Sequence, residues 1–157
     1  MNEQESKRAF RPDSGTLLEL FVFGADPELW QRALAYISAN YLMVYSEDSV
    51  VTALPDMAEI FQSQETKSVC LEVLLPGFTV NAHFFCADEI EMNVLPEEID
   101  SAEKAQALFQ FMSGLASCLG KDVLMVPEYF SATEDELRRV AICIADALNG
   151  AIHFRPQ

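Results

Sequence analysis

The chain has 157 residues, half of them hydrophobic, and carries 25 Asp and Glu against 10 Lys and Arg, a formal net charge of -15 at pH 7. That length holds one core and is short for two, and the apolar content excludes a disordered chain, which lacks the buried area to offset chain entropy. The anionic excess speaks against nucleic acid, whose binders need Lys and Arg on phosphates, and against anionic membranes.

Residues 1–15 are polar, hold Lys7, Arg8 and Arg11, and lack apolar periodicity. They read as a flexible tail without the apolar region of a secretory signal, so a cytoplasmic location is expected. No apolar run approaches the roughly 20 residues that cross a bilayer. Residues 16–157 form the single folded domain.

Residues 16–23 (TLLELFVF) predict a strand ended by Gly24. Asp26 and Pro27 then open a helix, as N-cap and first helical residue. Its apolar stripe is Trp30, Ala33, Leu34, Ile37 and Tyr41. A strand at 42–45 completes a β–α–β opening. Residues 46–67 are poorly patterned, with Pro55-Asp56 starting a short helix through Gln62.

Three period-2 strands follow. Val69, Leu71, Val73 and Leu75 alternate with Ser68, Cys70 and Glu72. After Pro76-Gly77, the apolar set Phe78, Val80, Ala82, Phe84 and Cys86 alternates with Thr79, Asn81, His83 and Phe85. After a turn near Asp88, Ile90, Met92 and Val94 alternate with Glu89, Glu91 and Asn93. The pattern is an antiparallel meander with one dry and one wet face.

Ser101 caps a helix whose buried side is Ala105, Leu108, Phe109, Met112, Leu115, Ala116 and Leu119, with Gly120 as its stop. Residues 122–126 are a short buried strand ended by Pro127. Thr133 and Glu136 form a capping box. The helix they open is expected to carry Leu137, Val140, Ala141, Ile144, Ala145 and Leu148 as far as Asn149-Gly150. Residues 151–154 close the chain as a strand. The fold class is α+β: one domain, a mixed, largely antiparallel sheet with helices packed on one face.

No catalytic, metal or cofactor constellation accompanies this frame. His83 and Cys86 make an H-x-x-C pair, but three residues apart on a strand they point to opposite faces. His153 has no nucleophile context. Cys70, Cys86, Cys118 and Cys143 read as reduced structural thiols, the last two on apolar helical surfaces. The acids at 97–100 and 134–136 suit helix N-termini. No glycine-rich phosphate loop occurs.

Between Lys67 and Lys104 no Lys or Arg occurs, while Glu72, Asp88, Glu89, Glu91, Glu97, Glu98, Asp100 and Glu103 do. The candidate partner-binding set is therefore His83, Glu89, Glu91, Glu97, Glu98 and Asp100 for electrostatic contact, with Phe85 as an apolar anchor on the wet face. A basic protein would be steered to such a face. The alternatives are a merely solvated face, and a Phe85 covered by residues 46–67.

The stretch 103–128, with its Phe111-Met112, Leu119-Gly120-Lys121-Asp122-Val123 and Val126-Pro127-Glu128 pattern, resembles a segment of small acidic bacterial immunity-type proteins that accompany secreted toxins. The resemblance implies a non-enzymatic protein that neutralises a cationic partner. Two other classes stay open: an acidic chaperone for an exported protein, which would homodimerise, and a small-molecule-binding domain or enzyme without a recognisable motif.

Overall fold

A computed structural model describes Phe10, residues 16–128 and residues 133–154. Among the described residues nine strands form one sheet: β1 (Leu18–Phe23), β2 (Leu42–Glu47), β3 (Val50–Thr52), β4 (Val69–Leu75), β5 (Phe78–His83), β6 (Glu89–Val94), β7 (Val123–Pro127), β8 (Cys143–Ala145) and β9 (Ile152–Phe154). Four α-helices accompany them among the same residues: α1 (Pro27–Asn40), α2 (Met57–Gln64), α3 (Ala102–Leu119) and α4 (Glu134–Val140). The fold is α+β. Its strand order is β3-β2-β4-β5-β6-β1-β7-β8-β9, and every pairing is antiparallel.

The helix starts follow from their caps. Asp26 accepts from the Leu29 N–H at 2.7 Å, Asp56 from Glu59 at 2.9 Å and Ser101 from Lys104 at 3.2 Å. Each satisfies a backbone donor that the first turn leaves without an intrahelical partner. The Thr133–Glu136 capping box closes in both directions. The predicted helix at 55–62 is α2, shifted by two residues.

The core lies on one sheet face. Leu20, Leu71, Val73, Val80, Ala82, Ile90, Met92 and Met125 are all buried there, under Trp30 and Ile37 of α1, Ile60 of α2, and Leu108, Phe111 and Leu115 of α3. Phe10, within the stretch expected to be a tail, is also buried, its ring 5.7 Å from that of Phe109. The other residues of 1–15 lie outside those described.

Four sequence expectations change. First, β1 and β2 are not neighbours. The chain leaves β1, crosses the core face as α1 and rejoins the sheet beyond β4, so the opening is β–α–β in order only. Second, α4 packs against the opposite face from the other helices. There Leu137 and Ala141 cover Phe21, Leu124 and Val126 in a second, smaller cluster.

Third, α4 stops at Val140 instead of running to Asn149. The Ile142 N–H donates to the Met125 carbonyl at 2.8 Å, and Cys143–Ala145 joins β7 as β8. An Ile-Cys-Ile-Ala run fits a period of 2 as well as 3.6, and the open edge of β7 decides for the strand. Cys143 is thus a buried strand residue, its thiol pushed up to about 12 by burial. Fourth, β2 continues through a two-residue turn into β3. Asp48 and Ser49 both have positive φ, 48° and 65°, as a hairpin turn matched to strand twist requires.

Candidate binding face

Strand register assembles the outward face residue by residue. One row across it reads Val44, Glu72, Asn81, Asn93, Glu19 and Val126, from β2 to β7. The next reads His83, Glu91, Phe21 and Leu124, and Glu89 lies opposite Phe23. Directly paired residues share a face, so Glu72, Glu89, Glu91 and Glu19 all point away from the core. The strands β4, β5, β6 and β1 contribute no Lys or Arg to that face.

A chain of amides crosses it. Asn81 Nδ2 donates to Asn93 Oδ1 at 3.3 Å, and Asn93 Nδ2 lies 2.8 Å from His83 Nε2. With Asn93 Nδ2 as donor, the imidazole is neutral and carries its proton on Nδ1. Burial, opposed by the Asn93 contact, pushes the His83 pKa below its ordinary value. The His83 ring stacks on Phe85 with centroids 5.1 Å apart and planes 8° apart.

Phe85 remains 60% exposed. Residues 46–67 do not cover it. Their aromatic residue, Phe61 of α2, packs instead against Trp30 and Phe84 on the core face.

Glu91 is the strained group here. It is half-buried, and burial, then Glu19, then Glu89, raise its carboxyl to about 7. Glu19 itself is only 9% exposed. Sequence reasoning passed over Glu19 because it appears as one carboxylate inside an apolar run. Only the insertion of β1 between β6 and β7 sets it beside Glu91.

The seven candidate residues fall into two groups. His83, Phe85, Glu89 and Glu91 gather around the end of the β5–β6 hairpin. Glu97, Glu98 and Asp100 lie past the other end of β6, about 17 Å along the strand at roughly 3.3 Å per residue. That second group is engaged. Asp100 pairs with Lys104 at 2.9 Å, which holds its carboxyl below the usual range, and Lys104 also donates to the Glu98 carbonyl at 3.0 Å. Glu98 Oε2 accepts from the Thr79 N–H at 3.4 Å.

Elsewhere the chemistry is quiet. Among the described residues no group of three His, Cys, Asp or Glu can hold a metal ion. A cavity of about 300 Å³ beside Phe23 and Gly24 contains Arg138, but that guanidinium is already paired with Asp122 and Glu134. His153 has Asp146 3.7 Å away. Cys86 is pushed up to about 12, chiefly by burial and by Asp88, which makes it a poor nucleophile. No helix of the described residues is long and apolar enough to cross a membrane.

The Glu91 environment has a stability consequence with a definite sign. A carboxyl whose folded pKa exceeds its unfolded value favours folding while protonated. That contribution is fully present below 4.5 and is lost as pH rises through about 7. The whole gap corresponds to about 3 kcal/mol, and solvent screening of a half-exposed group reduces it to roughly 1 kcal/mol. Glu91→Gln is therefore expected to raise the melting temperature by a few degrees at about pH 8 and to change little near pH 4. Thermal unfolding at the two pH values checks it.

No protein-family model, curated protein or solved structure matches this chain.

Proposed function

We propose that the chain is a non-enzymatic binding protein of immunity type, which neutralises a basic protein, such as a secreted toxin, by laying its outward sheet face over it. The observation that carries this reading is the composition of that face: Glu72, Glu89, Glu91 and Glu19 without a Lys or Arg from the same strands, and an exposed Phe85 at its edge. Surfaces built for solubility interleave both signs. The resemblance of residues 103–128 to acidic immunity-type proteins supports the same reading.

The physics assigns different tasks to the parts of the face. Rim carboxylates accelerate encounter and set a salt-dependent on-rate. An aromatic anchor with partly desolvated charges beside it supplies most of the residence time. The test is association with the basic domain of a toxin encoded beside this protein, followed across a salt series. The on-rate is expected to fall steeply with ionic strength, and an on-rate indifferent to salt would sink the proposal.

One observation favours the chaperone reading instead. Leu42 and Leu74 are paired across β2 and β4 and are 77% and 41% exposed, while the edge strand β3 exposes Val50 and Val51. Native-state binding of a hydrophobic dye, together with a dimer in solution, would favour that class.

A further inference from the structure

We propose that β3 is a pairing edge for a second copy of this chain: two β3 strands meet antiparallel about a two-fold axis through Val51 and join two sheets into one. The inference is independent of the binding reading above, because the acidic strands β5, β6 and β1 stay open in both copies.

The backbone supplies the first argument. β3 ends the strand order, and no described strand lies beyond it. The two-residue turn at Asp48 and Ser49 makes Glu47 and Val50 the hydrogen-bonded pair that closes the hairpin. Bonded and non-bonded pairs alternate from there, so Ser46–Val51 is non-bonded and Tyr45–Thr52 bonded. The N–H and C=O of Val51 therefore point away from β2, and an extended strand satisfies both. Under a two-fold axis Val51 donates to and accepts from its counterpart in the second copy. Residues 50–54 (VVTAL) carry no charge, and Val50, Val51 and Thr52 are all exposed, so no charged side chain guards the strand.

Charge decides the occupant. A basic partner finds no carboxylate on this strand to pair with. Beside Val51 on the outward face stand the neutral Ser46 and, beyond it, Cys70. Glu47, on the other face, is already paired with Lys67 at 2.5 Å. Two copies of a chain with a net charge of -15 repel each other in most orientations. Here the axis sets Asp48 opposite Leu54 of the second copy, about 20 Å from the other Asp48 at roughly 3.3 Å per residue. That separation exceeds the Debye length of about 8 Å at physiological salt. β3 is thus a strip where two such copies meet without opposing like charges.

The interface is small, so the dimer is expected to be weak and to build up with concentration. Sedimentation of the full chain tests it, in a dilution series up to about 0.5 mM at low and high salt. Dimer should increase with salt, because screening relieves the repulsion between copies; docking of a basic protein has the opposite sign. Val51→Lys and Val51→Glu each set like charges face to face across the axis, and each should dimerise about tenfold more weakly. Mixing the two variants opposes Lys to Glu and should restore the lost affinity. Val51 is exposed, so both variants should keep the melting temperature of the unsubstituted chain, which separates lost pairing from lost folding. A chain monomeric throughout the series, a dimer indifferent to both substitutions, or a mixture no tighter than either variant alone would overturn the pairing. Each of those results leaves the acidic face and its salt-weakened docking untouched.

Discussion

Phe84→Ala is expected to lower stability by about 3–5 kcal/mol, whereas Phe85→Ala, one residue later, should leave it within about 0.5 kcal/mol. The two side chains leave the same strand end on opposite faces. Phe84 is fully buried, its ring 4.8 Å from that of Trp30 and 6.2 Å from that of Phe61. Removing it opens a cavity at the junction of α1, α2 and the sheet, where neighbours held in a close-packed interior relax only in part. For a domain whose total stability is about 5–15 kcal/mol, that loss approaches unfolding at ordinary temperature.

Phe85 touches His83 and solvent, so little is lost from the free protein when it is truncated. In a complex the same truncation removes the apolar anchor, and an affinity loss of about tenfold or more is expected. Chemical denaturation of both variants, with binding measured on Phe85→Ala, separates core from interface. A Phe85→Ala variant that bound normally would remove the anchor from the proposed face.

That division between Phe84 and Phe85 was legible in the sequence, because period-2 alternation is a local consequence of the pleat. The caps at Asp26, Ser101 and Thr133 were legible for the same reason: the residue that accepts the hydrogen bond lies three positions from its donor. What stayed hidden is set by neighbours remote in the chain. Residues 143–145 carry no preference that distinguishes strand from helix until β7 offers them hydrogen bonds. The β2–β3 turn uses Asp-Ser where the recognisable signal would be Asn-Gly or Asp-Gly.

The candidate site shows the same limit. A base-free window in the sequence grouped Glu89 with Asp100, but the length of β6 separates them, and Lys104 folds back onto the second group. Conversely, Glu19 lies some seventy residues upstream of Glu91, and strand order alone unites them. Linear charge density predicted the sign of the face and its members Glu72, Glu89 and Glu91, but missed Glu19 and added Glu97, Glu98 and Asp100.

Gly114→Ala is the second substitution expected to have a large effect, and its direction opposes helix propensity. In an exposed helix interior the change would stabilise by about 1 kcal/mol. Gly114 of α3, however, faces α1, and the Tyr36 hydroxyl occupies the space that a Cβ would need. Tyr36 cannot swing away freely: it is partly buried, hydrogen-bonds to Tyr41, and burial followed by that bond pushes its pKa upward. Overpacking of this kind costs about 1–3 kcal/mol. In a Tyr36→Ala background the clash partner is gone, so Gly114→Ala should there become neutral or mildly stabilising, a coupling that a double-mutant cycle reads directly. The α1–α3 contact lies behind the sheet from Glu91 and Phe85, so Gly114→Ala should lose stability and keep its affinity for a basic partner. If it lost affinity as well, the separation between a supporting face and a docking face would fail.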